Sequence, residues 1–185
     1  MYSSTKKIWT VIKSDYIRYG KKATFFRILT EVLFVRNYGF VYSFWLRLSA
    51  EKNLFNFIAR IQHFRLTRKY GIQIGRKTKI GNGLYIGHGI GIVVNPNAEI
   101  GNNCNISQFT TIGGHYKKAA KIGNNVYIGP NVCIVGNVNV GDNVTIGAGA
   151  VVTKDIPDNA TVAGVPAKIL SFKNPGRFVN YRYIE

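Results

Sequence analysis

The segment KIGNNVYIGPNVCIVGNVNVGDNVTIGAGAVV, residues 121–152, places a branched aliphatic residue at every sixth position. The same period is present earlier in the chain, from Ile74 to Ile92. Glycine directly follows seven of the ten aliphatic residues in these two series, which are Ile74, Ile80, Ile86, Ile92, Ile122, Ile128, Ile134, Val140, Ile146 and Val152. Recurrence at a short fixed period with that density of glycine indicates a solenoid of repeated units.

Each six-residue unit is predicted to form one short strand and one turn. The aliphatic side chain would point into a narrow interior, and glycine or asparagine would adopt the backbone angles of the turn. No unit can bury its aliphatic residue alone, so neighbouring units must stack. A β-sandwich is the alternative, but it would alternate with a period of two and turn about every 8–12 residues. Between the two series the phase is kept by smaller residues, Ala98, Cys104 and Thr110.

The first part of the chain has a different pattern. Between Thr5 and Lys69 there is no proline, glycine occurs only at Gly20 and Gly39, and apolar residues recur every three or four positions. This spacing predicts short amphipathic helices with breaks at the glycines. We therefore predict a mainly β protein in three parts: a basic α-helical region at residues 1–70, a solenoid at 71–170 with a loop at 113–121, and a C-terminal tail at 171–185.

The positive charge is concentrated in the helical region. Residues 1–79 carry 17 basic and 3 acidic side chains, a net charge of +14 out of +17 for the whole chain. Such a region could contact nucleic acid, an anionic membrane surface, or a phosphorylated or acidic substrate. It contains no recognisable nucleic-acid motif, so we predict no nucleic-acid partner.

Several features predict a cytoplasmic protein without a metal site. Cys104 and Cys133 are far apart and have no metal-ligand spacing, which favours a reducing compartment. The first ten residues are not followed by a long apolar segment, so they do not resemble a signal peptide. The most apolar run, residues 38–46, is much shorter than the roughly 20 residues of a membrane-spanning helix.

Four motifs connect the chain with a known family. They are Ile86-Gly-His-Gly-Ile-Gly91, Thr111-Ile-Gly-Gly114, Ile146-Gly-Ala-Gly-Ala-Val-Val152 and Val162-Ala-Gly-Val-Pro-Ala-Lys168. With these motifs the chain resembles the hexapeptide-repeat acyltransferases, and among them the serine acetyltransferase-like branch, over about residues 71–170. The resemblance implies a left-handed parallel β-helix, a homotrimer, and acetyl-CoA bound in the groove between neighbouring subunits.

Acetyl transfer from a thioester to an alcohol needs a base for the hydroxyl proton and donors for the oxyanion. The resemblance assigns the base to His88, whose imidazole can accept a proton near neutral pH. Without the resemblance, a lone histidine in a turn would be an ordinary polar residue. Gly113 and Gly114 lack a Cβ, so their backbone N–H groups could approach the thioester. The resemblance also places five residues along acetyl-CoA: Ala148, Lys154, Ala163, Gly164 and Lys168.

The match to the family fails around the predicted base. The family has one aspartate directly before the catalytic histidine and another that orients it, and here these positions are Gly87 and Gln73. Gln73 could hold the imidazole but carries no charge, so we expect a weaker base. The short loop after the second glycine of the Thr-Ile-Gly-Gly motif lacks the Arg-His pair that would bind a small amino acid. His115 in this loop could contact the acceptor or be only a loop residue, and His63 is expected to be structural.

These departures favour a larger, neutral acceptor. The expected function is an O-acetyltransferase that moves acetyl from acetyl-CoA to a hydroxyl of a sugar or surface-polysaccharide precursor, similar to capsule and exopolysaccharide acetyltransferases. The alternatives are a serine O-acetyltransferase of cysteine biosynthesis and a non-catalytic β-helix binding module. The interleaved aromatic and basic residues between Lys21 and Phe55 could contact the inner face of an anionic membrane, or the aromatics could pack the helices together.

Overall fold

The structure, a computed structural model, describes residues 2–51, 55–115 and 118–184. The predicted helical region is confirmed: it contains α1 (Tyr2–Ile17), α2 (Phe25–Phe34), α3 (Tyr38–Ala50) and α4 (Asn56–Tyr70). Within the described residues, no helix has the length and apolar character needed to cross a bilayer.

Local sequence signals set where the helices begin and end. The Thr24 side chain accepts a hydrogen bond from the N–H of Arg27 at 3.4 Å, and Asn37 accepts one from the N–H of Phe40 at 3.2 Å. Both residues therefore act as N-caps, of α2 and α3. α4 ends at Gly71, whose φ of 66° lies in the left-handed region that glycine adopts without strain.

Seventeen short strands, numbered along the described chain, follow the helices and form three main sheets. Sheet A contains β1 (Gln73–Ile74), β4 (Val93–Val94), β7 (Thr111–Ile112), β12 (Cys133–Ile134) and β15 (Val151–Val152). Sheet B contains β2 (Lys79–Ile80), β5 (Glu99–Ile100), β10 (Lys121–Ile122) and β13 (Asn139–Val140). Sheet C contains β3 (Tyr85–Ile86), β6 (Asn105–Ile106), β11 (Tyr127–Ile128), β14 (Thr145–Ile146), β16 (Thr161–Ala163) and β17 (Lys168–Ser171). A hairpin of β8 (Gly114–His115) and β9 (Lys118–Ala119) is inserted between β7 and β10.

The chain visits sheets A, B and C in turn, and one such circuit is called a coil below. Strands stacked within a sheet pair in parallel, apart from the antiparallel pair of β16 and β17. The second residue of most strands and the residue just before the strand both point inward, as Ile74 and Ile72 do in the first coil. These side chains form one continuous core up to Val162. The predicted parallel β-helix of hexapeptide repeats is therefore confirmed.

The predicted step from Ile86 to Ile92 is wrong. β4 ends at Val94, eight positions after Ile86, and Ile92 is instead the buried residue before the strand. Gln73 consequently pairs with Val93, twenty positions later, whereas a regular coil takes eighteen, as from Val93 to Thr111 and from Cys133 to Val151. The two extra residues lie in the turn after β3. Like Ile92, three small residues are buried directly before one of the following strands: Ala98, Cys104 and Thr110.

Buried charged groups attach the helices to the first coil. The guanidinium of Arg47 on α3 contacts both carboxylate oxygens of Asp15 on α1, at 3.0 and 3.1 Å. It also donates to the carbonyl oxygens of Ile80 and Gly81, at 2.8 and 2.6 Å. Asp15 in turn accepts the N–H of Leu84 at 2.8 Å. Two helices and the turn between sheets B and C are thus joined through one ion pair.

The C-terminal tail crosses sheet C. The side-chain amide of Asn105 donates to the carbonyl of Phe178 at 3.0 Å. Asn103 and the backbone of Tyr183 exchange two hydrogen bonds, at 2.8 and 3.0 Å. Sheet B instead has exposed charged side chains on its outer face, and α4 lies beside sheet A. The three faces of the β-helix therefore differ in what covers them.

Candidate active site

His88 lies in the turn after β3, where the coil has its two extra residues. Its φ of 49° is left-handed and its side chain is exposed. The N–H of Gly87 donates to the carbonyl of Ile106, and the N–H of Gly91 donates to the carbonyl of Tyr70, both at 3.0 Å. The turn therefore lifts the imidazole out of the regular solenoid while its ends stay anchored.

Close packing explains the glycines around this histidine. A Cβ added to Gly89 would lie 2.7 Å from the Ile86 side chain, well inside an ordinary carbon contact of about 3.5–4.0 Å. A Cβ added to Gly87 would lie 3.0 Å from the ring of Tyr85, which packs on Tyr19 with ring centroids 4.5 Å apart. An aspartate at position 87 would therefore have to displace an anchored aromatic pair.

A cleft of about 450 Å³, called the His88 cleft below, opens beside the imidazole. Sheet C forms its floor through side chains that include Tyr85 and Tyr127. The helical region and the C-terminal tail supply the rest of the wall. The wall residues from outside the solenoid are Arg18, Tyr19, Lys21, Asn37, Phe178, Asn180 and Tyr181.

Arg18 joins the three parts of the chain that meet at this cleft. Its Nε donates to the carbonyl of Asn180 in the tail at 3.1 Å. Its two terminal nitrogens donate to the carbonyl of Gly83 and to Oδ1 of Asn105, both at 2.6 Å. Burial lowers the pKa of the Arg18 guanidinium to about 10, because removal from water disfavours the charged form.

A larger cleft, of about 1050 Å³, lies between α4 and sheet A. It brings together three predicted site residues, Gln73, Gly113 and Gly114. The N–H of Gly113 donates to the carbonyl of Ile134 at 2.8 Å, so it belongs to the strand ladder and is not free for an oxyanion. No hydrogen bond joins Gln73 to His88 in the part of the chain that the structure describes.

The other two histidines have different settings. Nε2 of His63 on α4 lies 3.0 Å from the hydroxyl of Tyr42, which also donates to the carbonyl of Ile72 and accepts the N–H of Ile74. Burial lowers the pKa of His63 to about 4, so the residue is neutral at physiological pH. His63 lines the larger cleft. His115 is exposed on β8 and is not in the wall of either cleft.

The five residues predicted to contact acetyl-CoA lie at the C-terminal end of the β-helix. Ala148 is exposed in the turn after β14, and Gly164, with a φ of 98°, follows β16. Lys154 is exposed just after β15. Lys168 on β17 pairs with Ala163 on β16 and is exposed. These residues surround the last strand of sheet A.

One edge of the β-helix connects the turn of His88 with the turn of Ala148. Successive turns between sheets C and A are stacked along this edge, three strand spacings apart from first to last, or roughly 14 Å. Backbone hydrogen bonds of 2.8–3.0 Å join neighbouring turns: Phe109 to Ile90, Asn131 to Gln108 and Gly149 to Pro130. An extended molecule lying on this edge can contact the imidazole at one end and the predicted cofactor residues at the other.

The cleft walls from outside the solenoid were missed by the sequence reasoning. Arg18 and Lys21 flank the break at Gly20, and Tyr181 belongs to the tail. Their only sequence signal is a basic, aromatic stretch next to a glycine, which fits many surfaces. The described residues contain no group of three or more His, Cys, Asp or Glu side chains that could bind a metal ion.

Two family models match parts of the chain. Residues 119–154 match the bacterial transferase hexapeptide (six repeats), and residues 67–88 match the hexapeptide repeat of succinyl-transferase. A serine acetyltransferase of Staphylococcus epidermidis is 37% identical over 150 residues, which cover 77% of this chain and 70% of that protein. A serine acetyltransferase of Synechococcus elongatus is 38% identical over 104 residues, but the match spans only 43% of its length.

Solved structures agree with these relatives. Serine acetyltransferase of Neisseria gonorrhoeae superposes with a TM-score of 0.75 and 31% identity, over 92% of this chain and 69% of that one. Serine acetyltransferase of Brucella abortus in complex with coenzyme A gives a TM-score of 0.72 and 30% identity, over 91% and 68%. The similarity covers the helices as well as the β-helix.

These findings contradict the expected sugar or polysaccharide acceptor and the likeness to capsule acetyltransferases, because the relatives and neighbours are serine acetyltransferases. The expectation treated Gly87, Gln73 and the short loop as signs of a different acceptor. An aspartate that orients the imidazole sets the strength of the base, so its replacement by Gln73 changes that strength. It does not by itself choose what the base deprotonates.

Proposed function

This chain belongs to the hexapeptide-repeat acyltransferases of the serine acetyltransferase type, and on that premise we propose that it transfers the acetyl group of acetyl-CoA to the hydroxyl of a small acceptor. L-Serine is the first acceptor to test. The observation that supports the proposal is the position of His88, which stands out of the solenoid at one end of the edge leading to Ala148 and Gly164. A base and cofactor residues on one edge suit acyl transfer between two bound molecules.

In the proposed reaction His88 takes the proton from the acceptor hydroxyl, and the acceptor oxygen attacks the thioester carbonyl. A C–O bond forms, the C–S bond breaks, and the imidazole returns the proton to the thiolate of CoA. Gly114, in the wall of the larger cleft, is the proposed oxyanion donor, since the N–H of Gly113 is engaged. Gln73 is the proposed orienting group, and it contributes no charge to the imidazolium.

Acetyl-CoA is proposed to lie along sheet A and its edge toward sheet C, with Lys154 and Lys168 near the phosphates. A neighbouring subunit of a homotrimer would close this groove. Sedimentation equilibrium should then give three times the 20.7 kDa of the chain, and a monomer mass would contradict the trimer.

The test of the function is release of CoA from acetyl-CoA in the presence of L-serine. The wild type should release CoA only when acceptor is present. His88→Ala should lower the rate by about 10²–10⁴-fold, the usual contribution of a general base. His115→Ala is the matched control, because it removes an exposed histidine outside both clefts and should keep most of the activity. Unchanged activity in His88→Ala would contradict the role of His88, and loss in His115→Ala would show that His115 also takes part in the reaction.

A cytoplasmic protein that contacts the inner face of the membrane is proposed from the surface of α2. Phe26, Leu29 and Leu33 form an exposed apolar stripe at helical spacing, and Phe26 is 75% exposed. The carboxylates of Asp15 and Glu31 are each paired with another cation, Arg47 and Lys21, so they do not offset the remaining cations at this surface. The exposed cations around the stripe are Lys22, Arg27 and Arg36. Such a surface suits an anionic bilayer.

Vesicle flotation tests this contact. The full chain should float with vesicles of phosphatidylglycerol and phosphatidylcholine, and not with phosphatidylcholine alone. Phe26→Glu should abolish flotation. Phe172→Glu makes the same change at a 56% exposed phenylalanine just after β17, at the other end of sheet C, and should float like the wild type. Failure of the wild type to float would remove the membrane contact and leave the catalytic proposal intact.

A further inference from the structure

Among its described residues, the wall of the His88 cleft has cations and no carboxylate. Arg18 and Lys21 both line it, and its other described wall residues are tyrosines, asparagines, a serine, a glycine, a phenylalanine and His88 itself. A cleft with one sign of charge concentrates ligands of the opposite sign. The chemistry of the wall therefore bears on which hydroxyl compound reaches the imidazole.

The positive charge of Arg18 is not neutralised by any ion pair in the described residues. Its three hydrogen bonds end on uncharged oxygens, the carbonyls of Asn180 and Gly83 and the side chain of Asn105. A guanidinium has five N–H donors, so two remain for a ligand or water. The residue is only 3% exposed, which keeps its field from being screened by bulk water.

Lys21 is balanced by an acid that does not reach the cleft. Its ammonium lies 2.7 Å from Oε2 of Glu31, a side chain that is 4% exposed and is not in the cleft wall. The described wall thus presents the ammonium of Lys21 and not the carboxylate of Glu31. No described group in the wall can therefore bind a ligand ammonium by charge, whereas uncharged donors such as Asn37 and Ser107 can hold hydroxyls.

We propose that the His88 cleft selects a hydroxyl acceptor that carries a carboxylate and no ammonium, the class of small hydroxy acids. This inference rests on the proposed role of His88 as the base. The carboxylate would lie toward Arg18 and Lys21, with the hydroxyl at the imidazole. L-Serine would be held by its carboxylate, but its ammonium would be desolvated without a partner, which weakens binding.

Three probes of similar size separate the charges. Glycerate has the hydroxyl and the carboxylate, L-serine adds an ammonium, and L-serinamide has the ammonium without the carboxylate. Binding to the full chain is measured by calorimetry with CoA present, and CoA release from acetyl-CoA is measured with each probe. Glycerate should bind about tenfold more tightly than L-serinamide, the effect of one charge-assisted hydrogen bond, with L-serine between them.

Equal or tighter binding of L-serinamide would overturn the inference. The two measurements also separate it from the proposed function. The predicted binding order without any CoA release would contradict the proposed function and support the charge selection of the cleft. CoA release that is fastest with L-serinamide would support the proposed function and contradict the charge selection.

A charge added to the wall gives a second test that preserves the fold. Asn37 lines the cleft and caps α3, and aspartate is an equally good N-cap, so Asn37→Asp should fold normally. It should lower the ratio of glycerate to L-serinamide affinity by about fivefold, the upper range for a partly exposed charge pair. Thr24→Asp is the matched control: it adds the same charge at the N-cap of α2, outside the cleft wall, and should leave the ratio unchanged. An unchanged ratio in Asn37→Asp would contradict the inference.

Discussion

The β-helix and the helical region are stabilised in opposite ways. The β-helix repeats one arrangement through every coil, with a buried aliphatic before and within each strand and a parallel ladder of backbone hydrogen bonds. The helical region is attached at the first coil, where Tyr42 and Leu46 of α3 pack into the core and the buried pair of Arg47 and Asp15 adds hydrogen bonds. Stability spread over many similar contacts tolerates single changes better than stability concentrated in a few contacts. The site lies where the two kinds of structure meet.

The largest effect should come from breaking the ion pair that attaches the helices. Asp15→Ala leaves the guanidinium of Arg47 buried without its acid, which should cost about 3–5 kcal/mol in the free energy of unfolding. Urea denaturation followed by circular dichroism measures this. Glu99→Ala removes the exposed partner of Lys79 on sheet B and should change the midpoint little. Equal losses in the two variants would contradict the comparison.

The next effect depends on pH. The pKa of His63 is about 4 in the folded protein and about 6.5 when unfolded, so the unfolded state binds the extra proton between these values. The contribution of neutral His63 to the free energy of unfolding should therefore be complete above pH 6.5 and should fall as the pH falls toward 4. The expected loss is about 2 kcal/mol after allowance for partial exposure. His63→Gln should show a smaller loss between pH 7 and pH 4.5 than the wild type. A parallel pH dependence in both proteins would remove this role of His63.

A carboxylate introduced near His88 tests the site, which lies where the helical region meets the β-helix. Gln73→Asp should raise kcat/KM for acetyl transfer by about tenfold, because a carboxylate that orients the imidazole also stabilises the imidazolium formed in the reaction. Gly87→Asp adds the same charge beside His88 but places a Cβ against the ring of Tyr85, so it should lower stability without a gain in rate. No gain in Gln73→Asp would show that position 73 does not orient the base.

The smallest effect concerns the asparagine ladder between sheets B and C. The side-chain amide N–H of Asn125 donates to Oδ1 of Asn143 at 3.1 Å. The side-chain amide N–H of Asn143 donates in turn to Oδ1 of Asn159, also at 3.1 Å. All three residues have positive φ. Asn125→Ala and Asn159→Ala, at the two ends of the ladder, should each cost about 1 kcal/mol, since each loses one side-chain hydrogen bond and strains the backbone. Thermal unfolding should give nearly equal losses, because corresponding positions of a repeat are equivalent, and a severalfold difference would argue against that equivalence.

The β-helix was predictable because its signal is local. The period of six is visible along the chain, and each unit predicts the same turn and the same inward side chain. The slip of two residues after Ile86 was concealed, because Ile92 is also buried and keeps the apparent phase. The extended turn that displays His88 therefore had no signal in the periodicity, although the histidine itself was found through its motif.

The attachment of the helices and the wall of the His88 cleft were not predictable for the opposite reason. Arg18 contacts Gly83, Asn105 and Asn180, which lie 65, 87 and 162 positions away in the chain. Contacts at such separations leave no periodic trace, and a buried arginine resembles a surface arginine in a basic segment. The sequence also could not indicate that Lys21 lines the cleft while the acid paired with it does not.

A structure of the protein crystallised with CoA is the most direct test of the proposal that sheet A and its edge toward sheet C carry the reaction. We expect the CoA sulfur at the turn of His88, the pantetheine chain along the stacked turns toward Ala148, and the phosphates near Lys154 and Lys168. CoA bound on sheet B, or across the C-terminal tail on sheet C, would contradict it.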